Sequence, residues 1–230
     1  MRMKKVIIFG LLGLIVIGGF YTKKKYYDPK RRLENAHREV KNLVDNNSLK
    51  NGDIIFQTSL SRQSKAIQLA TKSKYSHCGL IFKLDSGIYK WYVMEAVQPV
   101  KWTPLEKWIG RGENGKYVIK RVYTDPMLPD QLLEELKTEG EKFLGKNYDL
   151  TFEWSDDKIY CSELIWKVYK RVIGLDVGEL QKLKDFDLSN STVKKIMKER
   201  YGNKIPMDET VISPISIFDS ELVKTVKSNE

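Results

Sequence analysis

The sequence predicts an α+β fold built on a mostly antiparallel sheet. Strand-like alternation is concentrated in the middle of the chain. Helical periodicity lies on either side of it, and the central strand candidates follow one another through short polar turns. The 230 residues suffice for one good-sized domain with appendages, and no internal repeat or low-complexity tract interrupts them.

The chain opens on MRMKKVIIFGLLGLIVIGGFYTKKK, in which Arg2, Lys4 and Lys5 precede an apolar run from Val6 to Phe20, and Lys23 to Lys25 close it. This is either a secretory signal or a short membrane anchor. The run is short for a full crossing, which takes about 20 residues. No A-x-A-like cleavage site follows and no cysteine marks lipid attachment, so an uncleaved anchor is favoured over a cleaved signal. Both flanks are basic and leave the orientation open. The expected organisation is a signal or anchor segment at 1–27, a juxtamembrane helical linker at 28–50 and a folded domain at 51–230. The linker is read as a helix because Leu33, Ala36, Val40, Leu43 and Val44 recur at helical spacing, with His37 on its surface.

Next comes Asn51-Gly52, a turn signal, followed by DIIFQT as a short strand and a helix over Arg62 to Thr71. YSHCGLIFKL and YKWYVMEAV read as two strands joined by an Asp85-Ser86-Gly87 loop, with glycine at the left-handed position. PVKWT is a further extended piece, PLEKWIG a short helix opened by Pro104, and KYVIKRVY another strand. Pro126 to Gly145 is expected as a long amphipathic helix and Lys158 to Ile173 as the next, with Asp156 and Asp157 as N-cap candidates and Gly174 as its stop. Ser189 to Arg200 is helical, and VISPISIF reads as extended and broken at Pro214. Residues 176–210 have no legible role beyond covering one side of a cleft.

Composition excludes one function class. The chain holds 40 Lys/Arg against 30 Asp/Glu, a formal net charge of +10. Residues 1–32 carry nine of those cations and one Asp, leaving 31 Lys/Arg against 29 Asp/Glu in the remainder. A nucleic-acid surface needs its basic face on the folded domain, so no nucleic-acid partner is expected.

Cys161 stands at the start of a helix whose inward face holds Leu164, Ile165, Val168 and Val172. There it fits two readings, a small core residue or a nucleophile whose thiolate is favoured by the helix N-terminus. A nucleophile needs a base and an orienter. His77 lies in the strand YSHCGLIF, and Glu95 lies on an apolar strand face, where an unpaired carboxylate is costly. A three-residue loop centred on Ser86 sets His77 opposite Glu95, with Cβ atoms about 5 Å apart. Cys161, His77 and Glu95 then form a candidate triad, with the Cys161 backbone N–H as an oxyanion donor. Tyr160 either contributes its hydroxyl or merely packs, and Gln57 and Ser76 are further candidates for contact with substrate. Cys78 points to the face opposite His77 and is expected buried and inert; a Cys78–Cys161 disulfide is the competing arrangement. No C-x-x-C or H-x-x-x-H spacing supports zinc at His77, Cys161 and Glu95, so neither metal nor cofactor is expected.

GDIIFQTS, KYSHCGLIF, VMEAVQPVKWTPLEKWIGRGENGKYVIKRV and YDLTFEWSDDKIYCSELIWKVY occur in that order over about 51–174, with a weaker match through VISPISIF. Together they resemble the YiiX-like permuted papain-like cysteine amidases, relatives of the NlpC-type cell-wall peptidases whose catalytic segments are circularly permuted. The resemblance implies a permuted papain-like fold, an antiparallel sheet or half-barrel packed against the nucleophile helix. It also implies that Cys161 is the nucleophile, His77 the base and Glu95 the third member. The expected activity is hydrolysis of an amide in a peptide of the bacterial cell envelope, through a thioester acyl-enzyme. The alternative is a lipid-directed acyl hydrolase or acyltransferase using the same residues, which Trp102 and Trp108 would suit if exposed. A catalytically silent binding module is the remaining reading. The expected partners are that peptide or acyl substrate and, through the leader, a membrane, with the domain anchored at or secreted to the extracytoplasmic face.

Overall fold

A computed structural model describes residues 28–230, and the leader lies outside them. Helix α1 (Asp28–Asp45) is followed by β1 (Asp53–Gln57), α2 (Ser64–Thr71), β2 (His77–Lys83), β3 (Trp91–Glu95), β4 (Lys101–Pro104), α3 (Leu105–Arg111) and β5 (Val118–Val122). After these come α4 (Asp130–Glu141), β6 (Asn147–Tyr148), β7 (Lys158–Ile159), α5 (Cys161–Ile173), β8 (Gln181–Lys182), α6 (Ser191–Tyr201), β9 (Thr210–Val211), α7 (Pro214–Phe218) and β10 (Val223–Ser228). Six strands form one antiparallel sheet in the order β10-β5-β1-β2-β3-β4. The fold is therefore α+β, as the alternation predicts.

Alternation along the strands divides the core into two layers. Cys78, Leu80 and Phe82 of β2, with Ile54, Phe56 and Met94, face Leu136 of α4 and Leu164, Ile165 and Val168 of α5. Ile81, Val93, Ile55 and Ile119 face the other way, onto Ala36, Val40 and Leu43 of α1 and Leu105, Trp108 and Ile109 of α3. The segment expected as a linker is thus packed onto the body by its apolar stripe, and the Tyr117 hydroxyl donates to Glu39 of α1 at 2.6 Å.

The β2–β3 register differs from the expected one. Leu80 pairs with Met94 and Lys83 with Trp91, a slip of two residues from the arrangement that sets His77 opposite Glu95. The connection is wider than three residues and closes with the Leu84 N–H donating to the Lys90 carbonyl at 2.7 Å. Tyr89 accounts for this: it packs into the layer under α1, its ring 5.8 Å from His37, and draws residues 88–90 out of the ladder. A slip of one would have turned Glu95 to the wrong face, whereas a slip of two keeps it on the face of His77 as a diagonal neighbour. Gly79 makes the approach close, since a Cβ there would stand 2.4 Å from Val93 Cγ1 and 2.9 Å from the Met94 carbonyl oxygen.

Three other expectations change. Lys158–Ile159 is a short strand pairing with Asn147–Tyr148, so α5 begins at Cys161 itself, with Tyr160 as its N-cap. Asp156 does not cap it; the carboxylate is taken by Lys167 at 2.9 Å and Arg171 at 2.8 Å on later turns of the helix. VISPISIF is not extended throughout: Ser213 accepts from the Ser216 N–H at 3.2 Å and Pro214 opens α7, where its fixed φ and missing N–H suit a first turn. The edge strand β10 has no counterpart in the sequence reading. Residues 176–210 contribute β8 and α6, and α6 packs Val193 and Met197 against Ala66 of α2. Gly174 ends α5 in the left-handed conformation, as expected.

Candidate active site

Cys161 is the first residue of α5, where the helix leaves its initial N–H groups unbonded and its dipole favours negative charge. The turn is braced by Glu163, which accepts from the Tyr160 N–H at 3.4 Å and pairs with Lys167 at 2.7 Å. The side chain of Cys161 shares the buried layer of Cys78 at the start of β2, with Cys78 and the His77 ring as its electrostatic partners.

His77 is buried, its ring stacked 5.8 Å from that of Trp108. Its Nε2 lies 2.7 Å from Glu95 Oε2, which leaves Nδ1 as the nitrogen for the thiol. Glu95 is fully buried, and both its oxygens are engaged. Thr103 Oγ1 donates to Oε1 at 2.6 Å, Trp108 Nε1 donates to Oε2 at 3.0 Å, and Arg111 Nη2 pairs with Oε2. The same Arg111 nitrogen is 3.4 Å from His77 Nε2.

These contacts set the charge states. Burial alone would push Glu95 up, but the His77 and Arg111 partners overcome it and hold the carboxyl at about 2. Burial alone would pull His77 down; hydrogen bonds and charge from Cys161 and Glu95 reverse this and raise it to about 9. Cys161 is held well below the ordinary thiol range, first by a hydrogen bond from the Cys78 thiol, then by the His77 ring against the cost of burial. These directions favour a thiolate–imidazolium pair, with Glu95 ionised behind it.

Of the other sequence candidates, Tyr160 is buried, its hydroxyl accepting from the Ile212 N–H at 3.0 Å and its ring edge-on to Phe152. Ser76 lies in a hydroxyl cluster, 2.6 Å from Ser64 Oγ and accepting from the Ser59 N–H at 2.9 Å. Gln57 pairs with His77 across β1 and β2, but its side chain turns onto Gly112 and lines neither cavity at the site. Trp108 is buried against Glu95 and Trp102 packs edge-on to Phe82, so neither is an exposed aromatic. Thr103, Trp108 and Arg111, the donors that hold Glu95, were not anticipated in that role. The spacing of Trp108 and Arg111 puts both on one face of α3, but nothing local says that Glu95 lies under it.

Two cavities meet at this point. One, of about 90 Å³, is lined by Cys161 and by apolar side chains of α2 and α6, including Ile67, Ala70, Val193 and Met197. The other, of about 450 Å³, is lined by His77, Arg111, Gln98 and Ser59. Gln63, Ile67 and Tyr148 line both.

Arg111 acts on the imidazole through Glu95 and through its own charge. Replacing it by Met removes a cation beside the ring, so His77 should titrate above its present value near 9. An NMR titration of the His77 ring checks this, and Arg111→Lys should restore part of the difference. An unmoved titration would show that Arg111 only packs.

The family model described as "Permuted papain-like amidase enzyme, YaeF/YiiX, C92 family" matches residues 48–227. The chain is 53% identical over 175 residues to "Uncharacterized protein YiiX" of Escherichia coli (strain K12), covering 76% of this chain and 84% of that protein. It also superposes on the crystal structure of "metalloprotein yiiX" from Escherichia coli O157:H7 with a TM-score of 0.73 and 52% identity, covering 78% of this chain and 97% of the other. By fold, by sequence and by the order of its segments, the chain belongs to the permuted papain-like amidases of the YaeF/YiiX C92 family and is a hydrolase.

Proposed function

We propose that this amidase cleaves an amide bond in a peptide of the bacterial cell envelope, with Cys161 as nucleophile, His77 as base and acid, and Glu95 as orienter. The observation that supports it most is the buried Glu95–His77 pair set beside a cysteine at a helix N-terminus. In the first half-reaction the Cys161 thiolate attacks the carbonyl carbon, and the oxyanion is met by the backbone N–H of Cys161. The His77 imidazolium gives its proton to the departing amine, leaving a thioester. In the second, neutral His77 takes a proton from water, the hydroxide attacks the thioester, and the thiolate returns. Glu95 stays ionised throughout and keeps the ring aligned.

The Escherichia coli O157:H7 relative is called a metalloprotein. Among the described residues no group of three or more His, Cys, Asp or Glu side chains is arranged to hold a metal ion, and both Glu95 oxygens already accept from protein donors. The donor set does not fit a metal, and the steps above use none. The leader would place the domain at the extracytoplasmic face, held by or released from a membrane. Among the described residues no helix is long and apolar enough to cross one.

The pH dependence of kcat/KM should be bell-shaped. Its lower limb lies well below the ordinary thiol range, where Cys161 becomes protonated, and its upper limb lies near 9, where His77 loses the proton it must donate. A single rise at ordinary thiol pH would contradict the ion pair.

A second reading has its own support. The cavity beside Cys161 is lined mostly by apolar side chains, which suits an acyl chain and a lipid-directed hydrolase or transferase. Incubation with muropeptides, and separately with phospholipids and acyl thioesters, separates the two, with Cys161→Ala as control. Release of a new amine from muropeptides alone supports the peptide amidase. Turnover of the lipids alone overturns it in favour of acyl transfer, and activity that survives Cys161→Ala overturns both.

A further inference from the structure

The hydrolytic steps leave one nucleophilic side chain unused. Cys78 is the second residue of β2, next to His77, and alternation turns its side chain to the α5 face of the sheet. There it shares a buried layer with Cys161 of α5, each of the two is an electrostatic neighbour of the other, and both cysteines are free. The pair differs in access. Cys161 lines the cavity between α2 and α6, whereas Cys78 is fully buried and lines neither cavity at the site. A small neutral oxidant entering that cavity reaches Cys161 before Cys78.

We propose that Cys78 is a resolving thiol: after a peroxide has oxidised Cys161, Cys78 closes a reversible Cys78–Cys161 disulfide that shields the nucleophile from further oxidation. The Cys161 thiolate attacks one oxygen of the peroxide, and the O–O bond breaks. Cys161 becomes a sulfenic acid, and the departing hydroxide takes the His77 proton to become water. The Cys78 sulfur then attacks that of Cys161. The S–O bond breaks, and the departing hydroxide takes the Cys78 proton and leaves as a second water. Two thiols have lost two electrons and one peroxide has gained them.

The order of events is built into the charges. Before oxidation Cys78 is pushed far up, first by burial and then by its bond to Cys161 and the charge there, so it stays a thiol. Converting Cys161 to a neutral sulfenic acid removes that neighbouring charge, and Cys78 becomes easier to ionise when an attacker is needed. Without a second thiol the sulfenic acid advances to sulfinic acid, which dithiothreitol does not reverse.

The activity arm of the test rests on Cys161 being the nucleophile; the chemical arm does not. The whole protein is treated with hydrogen peroxide, digested without reduction and examined by mass spectrometry. Hydrolysis is measured before treatment, after it, and after dithiothreitol. The expected result is a peptide pair joined through residues 78 and 161, an activity fall of about tenfold or more, and recovery to within about twofold on reduction. Under the same treatment Cys78→Ser or Cys78→Ala should accumulate sulfinic Cys161 and recover less than about a tenth of its own starting activity. A wild-type spectrum with sulfinic Cys161 and no joined pair overturns the proposal without reference to any variant, as does equal recovery in the variants. If the joined pair forms and hydrolysis is unchanged, the resolving role stands and the assignment of Cys161 as nucleophile fails.

Discussion

Cys161→Ala should lose amide hydrolysis by roughly 10³-fold or more in kcat while the protein stays folded. On the proposed mechanism the loss is large because the thiolate is the attacking group, and neither His77 nor Glu95 can replace it by carrying a proton. The fold should survive because the change removes one small sulfur from a position lined by a cavity, so little packing is lost. A second readout separates this from unfolding. Part of what holds His77 near 9 is its bond to Cys161, so in the alanine variant the ring should titrate below that value while remaining paired with Glu95. Melting curves and an NMR titration of His77 check both halves. Loss of the melting transition would mean that Cys161 is a packing residue first.

Glu95→Ala should do the opposite, damaging stability as much as activity. The carboxylate is fully buried and is the common acceptor for His77, Thr103, Trp108 and Arg111. Its removal strands the buried His77 ring, an indole N–H and a hydroxyl without their acceptor, and leaves the part-exposed Arg111 guanidinium to water. Breaking a buried charge pair in this way costs about 3–5 kcal/mol, which lowers the melting temperature by roughly 10 °C in a chain of this size. The linkage has a definite sign. Glu95 titrates at about 2 in the folded protein against 4.5 ordinarily, so its contribution is present above pH 4.5 and is lost as the pH falls toward 2. The alanine variant should therefore lie below wild type at neutral pH, with the two curves converging at acid pH. Parallel curves would show that the carboxylate contributes only by shape.

The parts of this site that could be read in the sequence are those set by short-range periodicity. Alternation put His77 and Glu95 on one face and Cys78 on the other, and helical spacing set Cys161 inward at the start of α5. The register of the hairpin could not be read, because Tyr89 is drawn toward α1 by a contact formed with a distant helix. The donors around Glu95 were hidden for a similar reason: Thr103, Trp108 and Arg111 come from the β4–α3 segment folding back over β3, which no window of the chain reveals. Strand β10 escaped notice because VKTVKS is a short, polar edge strand, whose pairing with β5 is a long-range event. Helix α7 carried a legible signal, serine before proline, which reads as a helix start as readily as a break in a strand.

Cys161 arrives from the helical layer on one side of the sheet, while His77 stacks on Trp108 of the layer on the other. A nascent chain that has emerged only as far as β5 holds His77 and Glu95 but not Cys161. Even when α5 has emerged, its cysteine has the acidity of any exposed thiol until both layers close on β2. Bringing residues 77 and 161 together also closes a long stretch of intervening chain, which places the event late in folding. The lowered pKa of Cys161 thus belongs to the assembled layers and not to α5 alone.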